Sequence, residues 1–380
     1  MVKGRWWRAF SPLPSNWLRN LLPHAESPLF RPAQLGQVFA KPAAGGPASL
    51  MKVCLYGVGA IGGFIGTRLA LAGQCQVSAV ARGKTLAALR RHGLRLRQGG
   101  ELLAAPVQAS DDPAALGPQD LVLIAVKGPA MSAVAQGIAP LIGPHTVVLP
   151  AMNGVPWWFA AGAPALGDAP LHSIDPGGHI AAAIPLASVI GCVVHASTFT
   201  PEPGLVEHKM GQGLIVGEPA GGISGRVQAL AALLQAAGFE VTAAADVRRD
   251  IWYKLWGNMT VNPISAITGA TVDRVLDDPL LRALCGAAMN EAAAVGARIG
   301  CAISQTPEDR HQITRRLGAF KTSMLQDVEA GRAIELDALV AVVREMAQRL
   351  GLATPMIDAL LGLARLHGRV HGLYPEAASA

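Results

Sequence analysis

The sequence predicts an α/β protein, with an N-terminal Rossmann-type parallel-sheet domain followed by an all-helical C-terminal domain. Three observations carry this. An apolar strand from Lys52 runs into Gly57-Val58-Gly59-Ala60-Ile61-Gly62 at the mouth of a helix. Strand and helix patterns then alternate to about Ala243, which implies a parallel sheet covered on both faces. Beyond Ala245 strand signals stop and only helical periods remain.

In order, the first unit is a strand at Lys52–Tyr56, a glycine-rich turn, a helix to about Ala72 and a strand at Gln76–Ala81. This is a β-α-β unit of the expected length, ~30 residues. Strands follow at Leu121–Val126, entered from the polar turn Gly117-Pro-Gln-Asp120, and at Thr146–Leu149, entered from Gly143-Pro144. Between Val189 and Glu218 the pattern reads as shorter strands with Pro/Gly turns, then a helix near Ser224–Ala237 and a strand at Phe239–Ala243. Helical periods fill 248–268, 276–300, 308–330, 335–350 and 356–368. The expected organisation is therefore 1–50 as a disordered extension or a mis-assigned start, 51–245 for dinucleotide binding, 246–372 as the helical catalytic domain, and 373–380 as a tail.

Composition narrows the function classes. The net charge of +6 invites a nucleic-acid partner, yet residues 1–50 hold six Lys/Arg against Glu26 alone, so the other 330 residues are close to neutral and show no basic stripe. Nucleic acid is excluded as the expected partner. That leading segment also carries seven prolines, with Trp6, Trp7 and Trp17. Nearly free of acid, it weakly resembles a transit peptide, and Met51 directly before the first strand is the plainer alternative start. No apolar run approaches the ~18 residues of a membrane helix, so a cytoplasmic protein without a membrane partner is expected. Cys54, Cys75, Cys192, Cys285 and Cys301 are odd in number and form no C-x-x-C, which reads as buried free thiols. The histidines form no H-x-x-x-H or H-E-x-x-H pair, and no metal is expected.

Each glycine of the G-x-G-x-x-G has its own role, with a tight turn at Gly57, close approach of backbone to a pyrophosphate at Gly59, and helix–strand packing at Gly62. A helix opening there offers free N–H groups to phosphate. An acid at the end of the second strand would accept from the ribose hydroxyl of NAD, whereas this chain has Arg82 there and no Asp or Glu from Gly57 to Gly100. NADPH is the expected cofactor. Lys127 and Asn153 follow later strands, at the edge where open parallel sheets bind ligands.

The most informative helix is Arg248-Arg-Asp-Ile-Trp-Tyr-Lys254-Leu-Trp-Gly-Asn258-Met-Thr-Val-Asn262-Pro263. Lys254, Asn258 and Asn262 are spaced i, i+4, i+8, which stacks an ammonium and two amides on one face. Such a row is either an exposed face or a site.

Taken together, the glycine motif, Lys127, Asn153-Gly154, the K-L-x-x-N-x-x-x-N-P of Lys254–Pro263, Pro203-Gly204, Gly211–Glu218, Ser323-Met-Leu-Gln-Asp327 and Glu335-Leu-Asp337 resemble the ketopantoate reductases (2-dehydropantoate 2-reductases). The likeness runs from Met51 to about Gly372. It implies NADPH-dependent reduction of 2-dehydropantoate to (R)-pantoate, in the pantothenate route to coenzyme A, in a cleft between a Rossmann and a helical domain. By position, it makes Lys254 the proton donor and Asn258 and Asn262 substrate amides. Ser323 falls at the substrate carboxylate, and Glu335 on the cofactor side, helping to orient the lysine. Lys127 and Asn153 become cofactor contacts, Asn153 next to substrate. A further substrate asparagine of some members has no match in 268–273. The alternatives are a paralogous reductase of another 2-keto acid and a non-catalytic NADPH sensor; a homodimer is compatible with each.

Overall fold

The computed structural model describes residues 50–376. The expectation for residues 1–49, and for 377–380 of the tail, lies outside the described residues.

The first sheet is built from β1 (Met51–Tyr56), β2 (Cys75–Val80), β5 (Gln108–Ser110), β6 (Gln119–Ile124) and β7 (Ile142–Pro150), in the order β5-β2-β1-β6-β7, all parallel. Its central strands are near-continuous apolar runs because both faces are covered. Val53, Leu55, Leu121 and Leu123 are buried on one face with Phe64 and Ile65 of α1 (Ala60–Ala72). Cys54, Val122, Ile124 and Val148 are buried on the other. Parallel pairing brings all C-terminal strand ends to one edge, laced by Gly57 N–H to Val80 O (3.2 Å), Ala125 N–H to Tyr56 O (3.0 Å) and Ala151 N–H to Ile124 O (2.8 Å).

The predicted single sheet is corrected in one respect: there are two. After β2, α2 (Gly83–His92) leads to a hairpin of β3 (Leu94–Gln98) and β4 (Glu101–Ala105). The hairpin joins β8 (Gly191–Glu202), β9 (Leu205–Gly217) and β10 (Glu240–Ala243) in a second sheet. The strands expected to be short between 189 and 218 are in fact 12 and 13 residues long, turning once at Pro203-Gly204. The second sheet meets α1 across the buried residues Val194, Val206, Leu214 and Val216. Between β6 and β8 lie α3 (Met131–Gly137) and α4 (His179–Ala183), with α5 (Gly225–Ala236) before β10; Ser224 caps α5 by accepting from Val227 N–H. The irregular stretch around Ser173 is tied down by Glu345, which accepts from His172 N–H and Ser173 N–H at 2.8 Å each.

Helices then take over. α6 (Val247–Thr268) runs 22 residues with Pro263 inside it, capped by Asp246. It is the core of the helical part: Trp252 and Trp256 are fully buried, each worth roughly 1.5–3 kcal/mol as buried apolar bulk, and Trp256 Nε1 donates to Met289 O at 2.7 Å. Around it pack α7 (Val272–Asp277), α8 (Pro279–Arg298), α9 (Pro307–Arg315), α10 (Ser323–Glu329), α11 (Val342–Arg349) and α12 (Pro355–Val370). The predicted helices 276–300 and 308–330 are each interrupted. Asp278 caps α8 and breaks the first, and Gly318 with its positive φ of 73° ends the turn after α9 in the second. A π-turn at Asp337–Ala341 precedes α11. The first residues of the expected tail, 373–376, are described, and two of them are packed. Leu373 is buried and its carbonyl accepts from Ile334 N–H (3.0 Å), while Tyr374 OH donates to Asp337 Oδ1 (2.5 Å). No helix among the described residues is long and apolar enough to cross a membrane. All five cysteines are free and buried.

Candidate active site

The glycine turn has the shape that a bound dinucleotide needs. Gly57 sits at φ 96°, where an L side chain is strained, and a Cβ there would come within 2.6 Å of Val126. At Gly62 a Cβ would strike Gly57 O at 2.1 Å, so the helix can close on its strand only with glycine. Gly59 is different: nothing lies within 4 Å of the position a Cβ would take, which leaves the backbone open to an approaching ligand. Gly59 is also the N-cap of α1 without a side-chain cap, and the first turn holds no acid. The first N–H groups of such a helix have no intrahelical acceptor, which suits a pyrophosphate. Val58 is buried while Ala60 and Ile61 are half-buried. Arg82 follows β2 at the same edge, exposed and free of a salt bridge among the described residues. These residues fit a dinucleotide.

Lys254, on α6, reaches the loop that follows β7. Its Nζ donates to Asn153 Oδ1 at 2.8 Å and to the Val194 carbonyl at 2.6 Å. Asn153 comes from the loop after β7, Val194 from β8 just before its irregularity at His195, and the lysine from α6, so three distant parts of the chain meet. Gly211 allows that irregularity: at φ 74° its hydrogen faces His195 O, where a Cβ would come within 2.5 Å. Burial pushes the Lys254 ammonium down to about 8, against the pull of Cys192 and Glu335 and with Arg310 adding to the fall. A lysine so placed is protonated at neutral pH yet ready to release its proton.

Asn258, one turn along, shares with Lys254, Asn153 and Cys192 a hollow of about 10 Å³, room for roughly one water. Cys192 is pushed up to about 12 by burial, so it is an inert thiol there. The hollow abuts a cavity of about 490 Å³ bounded by Asn153, Glu335, Trp157, Trp158 and Tyr374. Asn262, two turns from Lys254, is buried and lines neither space.

The remaining predicted residues are placed differently. Glu335 does not bond to Lys254; its Oε1 accepts from Gly128 N–H at 3.1 Å, and it acts on the lysine only through its charge. Burial raises the Glu335 carboxyl above its ordinary value. Lys127 is ion-paired with the buried Asp327, which also takes Arg332 Nε at 3.1 Å. Ser323 is exposed at the start of α10 and lines neither cavity; it is Thr322 that caps, accepting from Leu325 N–H at 3.1 Å. Sequence reasoning missed the Val194 carbonyl, Asp327 and Arg310. Only Asp327 left a signal, standing in the Ser323–Asp327 motif without an assigned part. Among the described residues no cluster of His, Cys, Asp and Glu could hold a metal.

Two family models match the chain. Residues 53–221 match "Ketopantoate reductase PanE/ApbA", and residues 246–368 match its C-terminal domain. The chain is 42% identical over 326 residues to the 2-dehydropantoate 2-reductase of Mesorhizobium japonicum, covering 85% of this chain and 100% of that one. A crystal structure from Ralstonia solanacearum, described as a candidate ketopantoate reductase, superposes with a TM-score of 0.83 at 55% identity, over 86% of this chain and 100% of that one. The PanE/ApbA family ketopantoate reductase of Ralstonia eutropha gives 0.73 at 27%, over 85% and 100%. The protein thus belongs to the ketopantoate reductase family, a family of NAD(P)-dependent oxidoreductases with a Rossmann-like sheet and a helical C-terminal region.

Proposed function

We propose that the chain reduces 2-dehydropantoate to (R)-pantoate with NADPH, and that Lys254 gives the proton. The observation that carries this reading is the Lys254 ammonium, buried beside Asn258 and held by Asn153 and Val194. The division of labour follows the chain: residues 51–245 hold the cofactor and 246–372 supply the proton donor.

NADPH, when bound, delivers hydride to the 2-keto carbon. Charge then grows on the carbonyl oxygen, and an ammonium at hydrogen-bond distance both stabilises it and passes it a proton. Two acceptors fix two of the three Lys254 protons, leaving the third for the substrate oxygen. Asn258 beside it is free to orient a hydroxyl or carbonyl of the substrate. Gly57, Gly59 and Gly62 would cradle the pyrophosphate, and Arg82 the 2′-phosphate. Lys127 and Glu335, joined to Asp327 and Gly128, would set the wall on the cofactor side.

The test is NADPH oxidation by the purified chain against a panel of 2-keto acids. Fastest turnover with 2-dehydropantoate and a strong preference over NADH are expected. Preference for another keto acid would pass the function to a paralogous reductase. Tight NADPH binding with no turnover on any acid would leave a cofactor-sensing protein.

A further inference from the structure

Arg310, on α9, is a cation without an acid. Among the described residues no carboxylate lies within 4 Å of it, although Arg315 on the same helix has Asp277 at 2.8 Å. Among the described residues its Nε is buried without a hydrogen-bond partner. The group is nonetheless firmly seated. Its central carbon lies 5.0 Å from the centroid of the Tyr253 ring, and Tyr253 OH is itself held by Gln305 Oε1 at 2.6 Å. Gly257 makes the room: a Cβ there would stand 3.0 Å from Arg310 Nε and 3.2 Å from Nη2.

Tyr253 and Gly257 flank Lys254 and Asn258 on α6, so the guanidinium rests beside the face that carries the proton donor. Arg310 and Lys254 both act on His195, and Arg310 acts on Lys254. Two neighbouring cations in a partly desolvated cleft disfavour each other, and a buried charge without a partner is costly. An anion entering the cleft would relieve both. The keto acid assigned above brings one, a carboxylate on the carbon next to its carbonyl, and a planar guanidinium matches a carboxylate through two parallel hydrogen bonds.

We propose that Arg310, stacked on Tyr253 and seated over Gly257, binds the carboxylate of the 2-keto acid and so sets the preference of the cleft for acids. This rests on the functional reading above.

The experiment compares wild type with Arg310→Gln and Arg310→Lys in the full chain, using 2-dehydropantoate and its carboxamide as substrates. In Arg310→Gln, KM for the acid should rise roughly 30-fold, as for a lost charged contact, with KM for NADPH unchanged. The preference for acid over amide should collapse to within about threefold. Removing the neighbouring cation should also move the alkaline limb of kcat, set by Lys254 among Cys192, Glu335 and His195, to higher pH. An acid-to-amide preference equal to wild type would overturn the proposal. Should Arg310→Gln melt early, Arg310→Lys decides. It keeps the charge and loses the fork, so a several-fold rise in acid KM with the amide unaffected supports the assignment, and an unchanged acid KM ends it. Wild type that reduced no acid would instead overturn the functional reading itself.

Discussion

The dinucleotide edge and the lysine cleft are built in opposite ways. At the edge, function resides in backbone: Gly57, Gly59 and Gly62 act through an absent side chain within six consecutive residues, and the turn has its shape because β1 must pass into α1 there. In the cleft, function resides in side chains from α6 and the loop after β7, with one main-chain carbonyl of β8, which only tertiary packing brings together. Local constraint makes a site readable; assembly at a distance hides its partners.

The sharpest way to break this comparison is Lys254→Ala. Turnover should fall by ~10²–10⁴-fold, the scale of a lost positioned proton donor. The fold and NADPH affinity should survive, because the substitution keeps helix propensity and the cofactor edge is built elsewhere. Single-turnover kinetics with a melting curve would check it. Near-normal turnover would remove the lysine from the mechanism.

Arg82→Ala probes the other region. A hydrogen bond to a charged group is worth ~1.5–3 kcal/mol, so NADPH should weaken by about that much while NADH changes little. Titration with both dinucleotides separates the outcomes, and equal losses would show that Arg82 does not read the 2′-phosphate.

The contrast also explains what the sequence disclosed. The parallel strands and the 22-residue helix α6 were legible because apolar runs and helical spacing are local signals. The second sheet was not: Glu101-Leu-Leu-Ala-Ala does not alternate, and although Leu94-Arg-Leu-Arg-Gln does, its placement comes from pairing with β4 on one side and with β9, far along the chain, on the other. A clue existed in Gly99-Gly100, whose φ of 59° and 89° are those of a two-residue hairpin turn. In the cleft, the i, i+4 spacing placed Lys254 and Asn258 together at one hollow. The same spacing carries Asn262 into the packed interior, because i+8 lies two turns away and α6 is buried there. Ion pairs such as Lys127 with Asp327, two hundred residues apart in the chain, have no sequence pattern at all.

A pH profile sharpens the comparison next, because the proposed proton donor belongs to the cleft. Lys254 is held down to about 8 by burial and must be protonated to act. The rate should be flat below that value and fall about tenfold per pH unit above it, while NADPH affinity, set by glycine backbone and an arginine, should not follow. An alkaline limb near the ordinary lysine value would mean that Lys254 is not desolvated in the working enzyme.

Glu335→Gln should have the smallest effect and tells most about how the two regions communicate. A glutamine keeps an oxygen for Gly128 N–H, so the bond at 3.1 Å that ties Glu335 to the loop after β6 can persist. What disappears is a negative charge that favours the ammonium of Lys254. Removing it lowers the lysine further, so the alkaline limb should move to lower pH, by less than burial itself moves it. At neutral pH the rate should hardly change, and at pH 9 it should drop about two- to fivefold below wild type. A loss of equal size at every pH would instead make Glu335 a brace for the Lys127–Gly128 wall, whose removal misplaces the cofactor rather than the proton.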